Sequence, residues 1–273
     1  MYHIPRPRID DTTRLTSLTQ RRRQPTKTHL RRVEQNVLAA YAAYDAQWHL
    51  CSTSSVIAED DKDAKEALQS NYDLAAEDGD LHQLLFDAAA NRRCPMCGCA
   101  TVRSLDHYLP KSVFPEYAVL SANLVPVCYN CNQTKGNKRA QLADERFLHP
   151  YFDVPPTAPI LLADVDTYRV VTVNYRLAPD VVDLSTYRRY LYHLKHLDLY
   201  TTFRREANVE LQDRADSFRD LFAAGGRVAV LDTVMREARS YAKSRGANDW
   251  KTALYRALCT HEEFLNGACT LLG

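Results

Sequence analysis

The sequence lacks the marks of several large functional classes. No apolar run approaches the roughly 18 residues that a membrane span requires, so no membrane partner is expected. The basic N-terminal stretch is not followed by the apolar segment of a secretory signal. There is no internal repeat, no low-complexity tract, no phosphate-cradling P-loop and no GxGxxG turn, so solenoid and motif-borne nucleotide-binding architectures are not expected. A formal net charge of +1 gives no overall pull toward a polyanion. What remains is a 273-residue chain of globular composition, long enough for one to three compact units.

Chemistry concentrates between Cys94 and Lys138, in CPMCG, SLDHYLPKS and SANLVPVCYNCNQTKGNK. Two Cys-x-x-Cys turns stand 30 residues apart. A Cys-x-x-Cys turn presents two thiolates to one ion, so Cys94, Cys97, Cys128 and Cys131 fit a closed structural zinc site. Pro95 and Gly98 favour the tight knuckle, and Cys99 is read as a bystander. Cys51, Cys99, Cys259 and Cys269 are scattered, as expected of a chain from a reducing cytoplasm. Between the knuckles, Ser104 to Leu109 predicts a strand end carrying Asp106 and His107, whose side chains should face opposite ways unless Pro110 bends the strand. Asn132 opens an expected short helix reaching to Leu142, which the zinc would hold beside that strand.

These residues resemble the HNH endonuclease family, whose ββα-metal core pairs two strands and a helix around one catalytic metal. His107 matches the family's histidine, Asn123 its middle asparagine, and Asn132 its last position, nine residues on, making an HNN variant. The resemblance covers roughly 45 residues of the chain. It implies that His107 is the general base, that Asp106 and Asn132 hold Mg²⁺ or Mn²⁺ against the scissile phosphate, and that Asn123 braces the loop carrying His107 and sets its ring. Lys111, Lys135 and Lys138 are candidate phosphate contacts. The implied fold is α+β and predominantly helical, with a central ββα-metal core and its four-cysteine zinc site between helical regions. The expected divisions are 1–90, a basic arm and helices; 91–153, the nuclease core; and 154–273, a β-hairpin and helices.

The arm carries Arg6, Arg8, Arg14, Arg21, Arg22, Arg23, Lys27, Arg31 and Arg32, a charge pattern suited to DNA or to a partner. Pro5, Pro7 and Pro25 argue against regular structure there. From Thr28, a candidate N-cap, the stripe Leu30, Val33, Val37, Tyr41, Tyr44 and Trp48 predicts a long helix. A polar break around Ser52 to Ser55 precedes an acidic helix over 63–74, and Leu81, Leu84, Leu85 and Ala88 predict another. The acidic stretch 59–80 should point away from the active site or dock a basic partner. His149, in the aromatic segment after the core, is read as structural. Past Pro155, Pro156 and Pro159, residues 160–165 and 168–175 read as a hairpin that could extend the core's own sheet. Four helices follow: 187–197, 200–222 ended by Gly225-Gly226, 228–241, and a last one capped by Asn248. Tyr187 to Tyr192 and Phe203 to Arg205 could line a nucleic-acid groove or merely a half-buried helix face.

The functional expectation is a metal-dependent DNA endonuclease that nicks or cuts duplex, possible as the effector of an antiphage system beside an ATPase or other sensor, and possible as a homo-oligomer. The alternatives are a zinc-ribbon nucleic-acid-binding or scaffold module without cleavage, and a nuclease directed at RNA.

Overall fold

Asp10 begins a helix inside the arm that its prolines had argued against. Its carboxylate accepts from the backbone N–H of Thr13 at 3.0 Å and from the Thr13 hydroxyl at 2.7 Å, an N-cap that starts α1 (Asp11–Arg21). Pro5 and Pro7 lie upstream of this cap and Pro25 beyond the helix end, so none interrupts a turn. Leu15 and Leu18, three apart, bury one face of α1.

The computed structural model describes residues 1–50, 54–77, 80–140 and 142–272, with the side chain of residue 77 left aside. Cys51, the start of the polar break at Ser52, Asp78 of the acidic stretch and Gln141 lie outside the described residues. The fold is α+β and predominantly helical. It divides into two compact units, one of His3–Met96 and Ala100–Asp153, the other of Met1–Tyr2, Cys97–Cys99 and Val154–Gly273.

In the first unit, α2 (Thr26–Gln47) starts two residues earlier than its expected cap and buries Leu30, Val33, Val37, Ala40 and Tyr44 on one face. α3 (Lys62–Glu77) turns Ala64, Ala67, Leu68, Asn71 and Ala75 inward, and α4 (Asp80–Ala88) adds Leu81 and Leu85. Part of the acidic stretch is answered by the arm itself, where Arg32 reaches Asp61 at 2.7 Å; Arg22 also donates to the neutral Asn71 of that stretch at 2.9 Å. Next come β1 (Ser104–His107), β2 (Leu124–Val127) and α5 (Tyr129–Lys135). The strands are antiparallel, with Asp106 opposite Val125 and His107 opposite Leu124. α5 spans seven residues and begins three before Asn132, because Cys128 serves as its N-cap; it stops at Lys135 rather than running to Leu142, since Gly136 takes a positive φ of 49°.

The second unit is built on a separate hairpin, β3 (Leu161–Asp166) and β4 (Thr172–Leu177). It does not extend the β1–β2 sheet: among the described residues each hairpin is its own two-stranded sheet. Helices α6 (Leu184–His196), α7 (Leu199–Asp213), α8 (Ala215–Arg245), α9 (Trp250–Leu258) and α10 (Glu262–Leu265) follow. The stripe over 200–222 is split between α7 and α8 at Arg214, whose guanidinium turns to Tyr255 Oη at 2.6 Å and Glu237 at 2.9 Å. The glycine pair makes a kink within α8 instead of a helix end, with Gly226 at φ 55°. Asp249, not Asn248, caps α9. Asn248 instead ties down the hairpin's start, accepting from Leu161 N and donating to the carbonyls of Pro156 and Ala158 at 2.8 and 3.0 Å. Tyr190 and Phe203 are core residues, 1% exposed each, which removes them from any groove. No helix among the described residues is long and apolar enough to cross a membrane.

Candidate metal and active site

Two knuckles bring four sulfurs together. The first closes when Cys94 N–H donates to the Ala100 carbonyl at 2.8 Å, and Gly98 makes its turn at φ 74°. A Cβ at Gly98 would come within 3.1 Å of the Tyr2 ring, so both backbone sign and space call for glycine there. The second knuckle is the first turn of α5. The ligand atoms of Cys94, Cys97, Cys128 and Cys131 all lie within 4.8 Å of one another and are buried. That spacing lets four thiolates surround one ion with Zn–S bonds of about 2.3 Å. Backbone N–H groups of Cys99 and Cys131 point at the sulfurs of Cys97 and Cys128, at 3.4 and 3.5 Å, which favours the thiolate form. The donor set is therefore one that could hold a zinc ion.

Beside it, the end of β1 presents its two polar side chains to different neighbours, as strand alternation requires. Asp106 faces α5. Its Oδ2 lies 2.9 Å from the ammonium of Lys135, which also donates to the His107 carbonyl at 2.7 Å. Lys135 is 1% exposed. It is an internal cation, not the surface phosphate contact that its place in the sequence suggests. Burial raises the Asp106 carboxyl above the ordinary carboxylate range, and the Lys135 charge pulls it back.

His107 faces the other way, toward the loop before β2 and toward α3. Its Nε2 is 2.9 Å from the Ala118 carbonyl, and the Tyr72 ring packs edge-on at 4.6 Å between centroids. A carbonyl only accepts, so Nε2 carries the hydrogen and Nδ1 is left as the basic atom. Burial pushes the imidazole down to about 3, with the nearby Lys111 and Lys135 charges acting in the same direction. The ring is thus neutral at physiological pH, and the burial that keeps it neutral also opposes its protonation.

Asn123 is fully buried and acts on the loop rather than on the ring. Its Oδ1 accepts from Leu109 N and Tyr44 Oη at 2.8 and 2.9 Å, and its Nδ2 donates to the carbonyls of Leu109 and Tyr117. The imidazole is held by Ala118 and Tyr72 instead. Asn132, on α5, donates from Nδ2 to Ser104 Oγ at 3.1 Å. Lys111 lies 4.6 Å over the Tyr72 ring and 4.0 Å from Asp73, so the acidic helix α3 borders the site instead of turning from it. Lys138 is exposed and donates to the Thr134 carbonyl. His149 is buried among Trp48, Tyr108 and Phe152, its Nδ1 accepting from Tyr151 N.

Sequence reasoning missed Tyr72 and Ser104. Tyr72 comes from a helix some thirty residues upstream with no local signal to mark it, whereas Ser104 could have been found from strand alternation, two residues before Asp106. Asp106 and the Asn132 amide offer hard oxygen donors, a set that suits Mg²⁺, which takes one or two carboxylates and keeps several waters.

No family model matches the chain, and no solved structure matches it. Over 197 residues, 66% of its length, it is 26% identical to protein ea31 of Escherichia phage lambda, covering 65% of that protein. Over 109 residues, 38% of its length, it is 29% identical to the Septu protein PtuB of Bacillus thuringiensis, covering 41% of that protein. The chain therefore spans less than two thirds of the length of either curated relative, to each of which its sequence is similar.

Proposed function

We propose that the chain is a metal-dependent HNH-type endonuclease acting on DNA. The observation that carries this reading is the ββα arrangement itself: Asp106 and His107 end β1, Asn123 leads into β2, and Asn132 stands on α5 beside a four-cysteine cluster. His107, neutral and held through Nε2, takes the proton of the attacking water at Nδ1, the negative charge of the substrate phosphate offsetting the burial that opposes an imidazolium there. Asp106 and Asn132 would hold a divalent cation, whose charge would offset that developing on the scissile phosphate and the leaving 3′ oxygen. Asn123 keeps the loop 108–118 in place, so the Ala118 carbonyl stays where it orients the imidazole. Lys111 and Lys138 supply phosphate contacts. The products are 5′-phosphate and 3′-hydroxyl ends.

The setting is conflict between bacterium and phage, with a partner such as an ATPase supplying the trigger. Similarity to one phage protein and one bacterial Septu protein supports it.

The test is incubation of the chain with supercoiled plasmid in Mg²⁺, Mn²⁺ or EDTA, beside His107→Ala. Conversion to open-circle or linear DNA, lost with EDTA and in the variant, is expected. No conversion of plasmid, with cleavage of RNA instead, would move the substrate to RNA. Salt-dependent DNA retention without scission of either would leave a zinc-ribbon binding module.

A further inference from the structure

Each of the two side chains assigned to the cation has one polar atom committed inside the protein. Asn132 spends its Nδ2 on Ser104 Oγ, at 3.1 Å, which turns the amide so that Oδ1 is the atom left over. Asp106 spends Oδ2 on Lys135, at 2.9 Å, and the lysine cannot drift, since it is 1% exposed and its ammonium is also fixed on the His107 carbonyl at 2.7 Å. Ser104 sits on the same strand as Asp106, and Lys135 on the same helix as Asn132. Each element therefore brings one oxygen donor and the group that orients the donor of the other.

We propose that Ser104 and Lys135 are positioning residues that decide which oxygens the site offers, and thereby which cation it takes. This rests on the nuclease reading above. With Oδ2 of Asp106 occupied, the carboxylate serves through one oxygen, and the protein contributes two single oxygens in all. Mg²⁺ and Mn²⁺ accept so sparse a set, filling the remainder with water. Ca²⁺ gathers six to eight oxygens and favours two-oxygen carboxylates, so a lysine that removes one carboxylate oxygen discriminates against it. Lys135 is in this view a selectivity residue, and Ser104 an affinity residue.

The experiment is calorimetric titration of Mn²⁺, Mg²⁺ and Ca²⁺ into the full, zinc-loaded chain, for the native protein, Ser104→Ala, Ser104→Thr and Lys135→Met. Ser104→Ala should weaken Mn²⁺ binding about 10-fold or more, the usual effect of removing a group that orients a metal ligand, with zinc content unchanged; Ser104→Thr, which keeps the hydroxyl, should restore it. Lys135→Met should raise Ca²⁺ affinity relative to Mn²⁺ by about 10-fold. Should Lys135→Met fail to fold, Lys135→Arg takes its place: a guanidinium can hold both carboxylate oxygens, so Mn²⁺ binding should be lost. Native-like Mn²⁺ binding in Ser104→Ala, a loss that threonine does not restore, or unchanged selectivity at position 135 overturns the proposal. An Asp106→Ala control separates the two readings. If the native chain binds no divalent cation, or binds it equally without Asp106, the nuclease assignment falls and this inference with it. If binding needs Asp106 but ignores Ser104 and Lys135, only this inference falls.

Discussion

The molecule contains two antiparallel hairpins of nearly the same kind, and they are used in opposite ways. In β1–β2 all but Ser104 are buried, so both faces of the hairpin are covered. In β4 burial alternates residue by residue, Val173, Tyr175 and Leu177 turned inward and Asn174 and Arg176 outward. The second hairpin is an ordinary half-buried ribbon whose outer charges, Asp164 and Arg176, meet each other at 2.9 Å in solvent. In the first, every polar group must find a partner inside the protein, because burying an unpaired charge or amide is costly. Asp106 has Lys135, His107 has Ala118, and Asn123, just before β2, makes four hydrogen bonds to Leu109, Tyr44 and Tyr117. The buried hairpin is thus held by internal polar pairing as well as by apolar packing, whereas the alternating hairpin serves to seat helices.

Disrupting the four-cysteine cluster should break this contrast most sharply. Cys128→Ser takes away one sulfur ligand while its hydroxyl can still cap α5, and strong chelation would take away the ion itself; zinc binding in small domains supplies about 10 kcal/mol or more of folding energy. Amide exchange should then show β1, β2 and α5 losing protection. Equal loss in β3 and β4 would mean that the two hairpins fold as one. Lys135→Met comes next. It leaves Asp106 as an unpaired buried carboxylate and should cost about 3–5 kcal/mol in denaturant unfolding; a cost under about 1 kcal/mol would show that the pair is solvated. Leu161→Ala, at a position 1% exposed in the second hairpin, should cost about 2–4 kcal/mol by cavity formation alone, with amide protection of β1, β2 and α5 unchanged, and lost protection there would mean that the two hairpins are coupled. The smallest effect belongs to Asp164→Asn, which removes an exposed ion pair and should change stability by about 0–1 kcal/mol. A larger change would place that pair among the buried networks.

How far the residues could be read in advance followed the range of the interactions involved. The helices α2, α3, α4 and α6 and the hairpin at 161–177 were legible because hydrophobic period is a local property. The four cysteines were legible for the same reason, since each Cys-x-x-Cys is one turn of chain. α1 was not, because the arm's basic residues and prolines dominate its sequence and the helix depends on Asp10 as a cap. The break at Arg214 was not, because the side chain leaves the helix line for Tyr255, forty-one residues on. In the candidate site, the spacing of Asp106, His107, Asn123 and Asn132 was plain in the sequence, but their immediate partners were not. Ala118 acts through its carbonyl, which no residue identity advertises.

By itself the sequence determined a helical α+β chain with a four-thiolate cluster and a polar constellation between its knuckles, because residue type and short spacing suffice for both. Only the tertiary structure decided that Lys135 lies inside on Asp106, that Tyr72 packs edge-on against His107, and that the second hairpin forms a sheet of its own. Those choices depend on which long-range neighbour can satisfy a buried charge or cover a ring, and that is settled only when the packed chain excludes water from them.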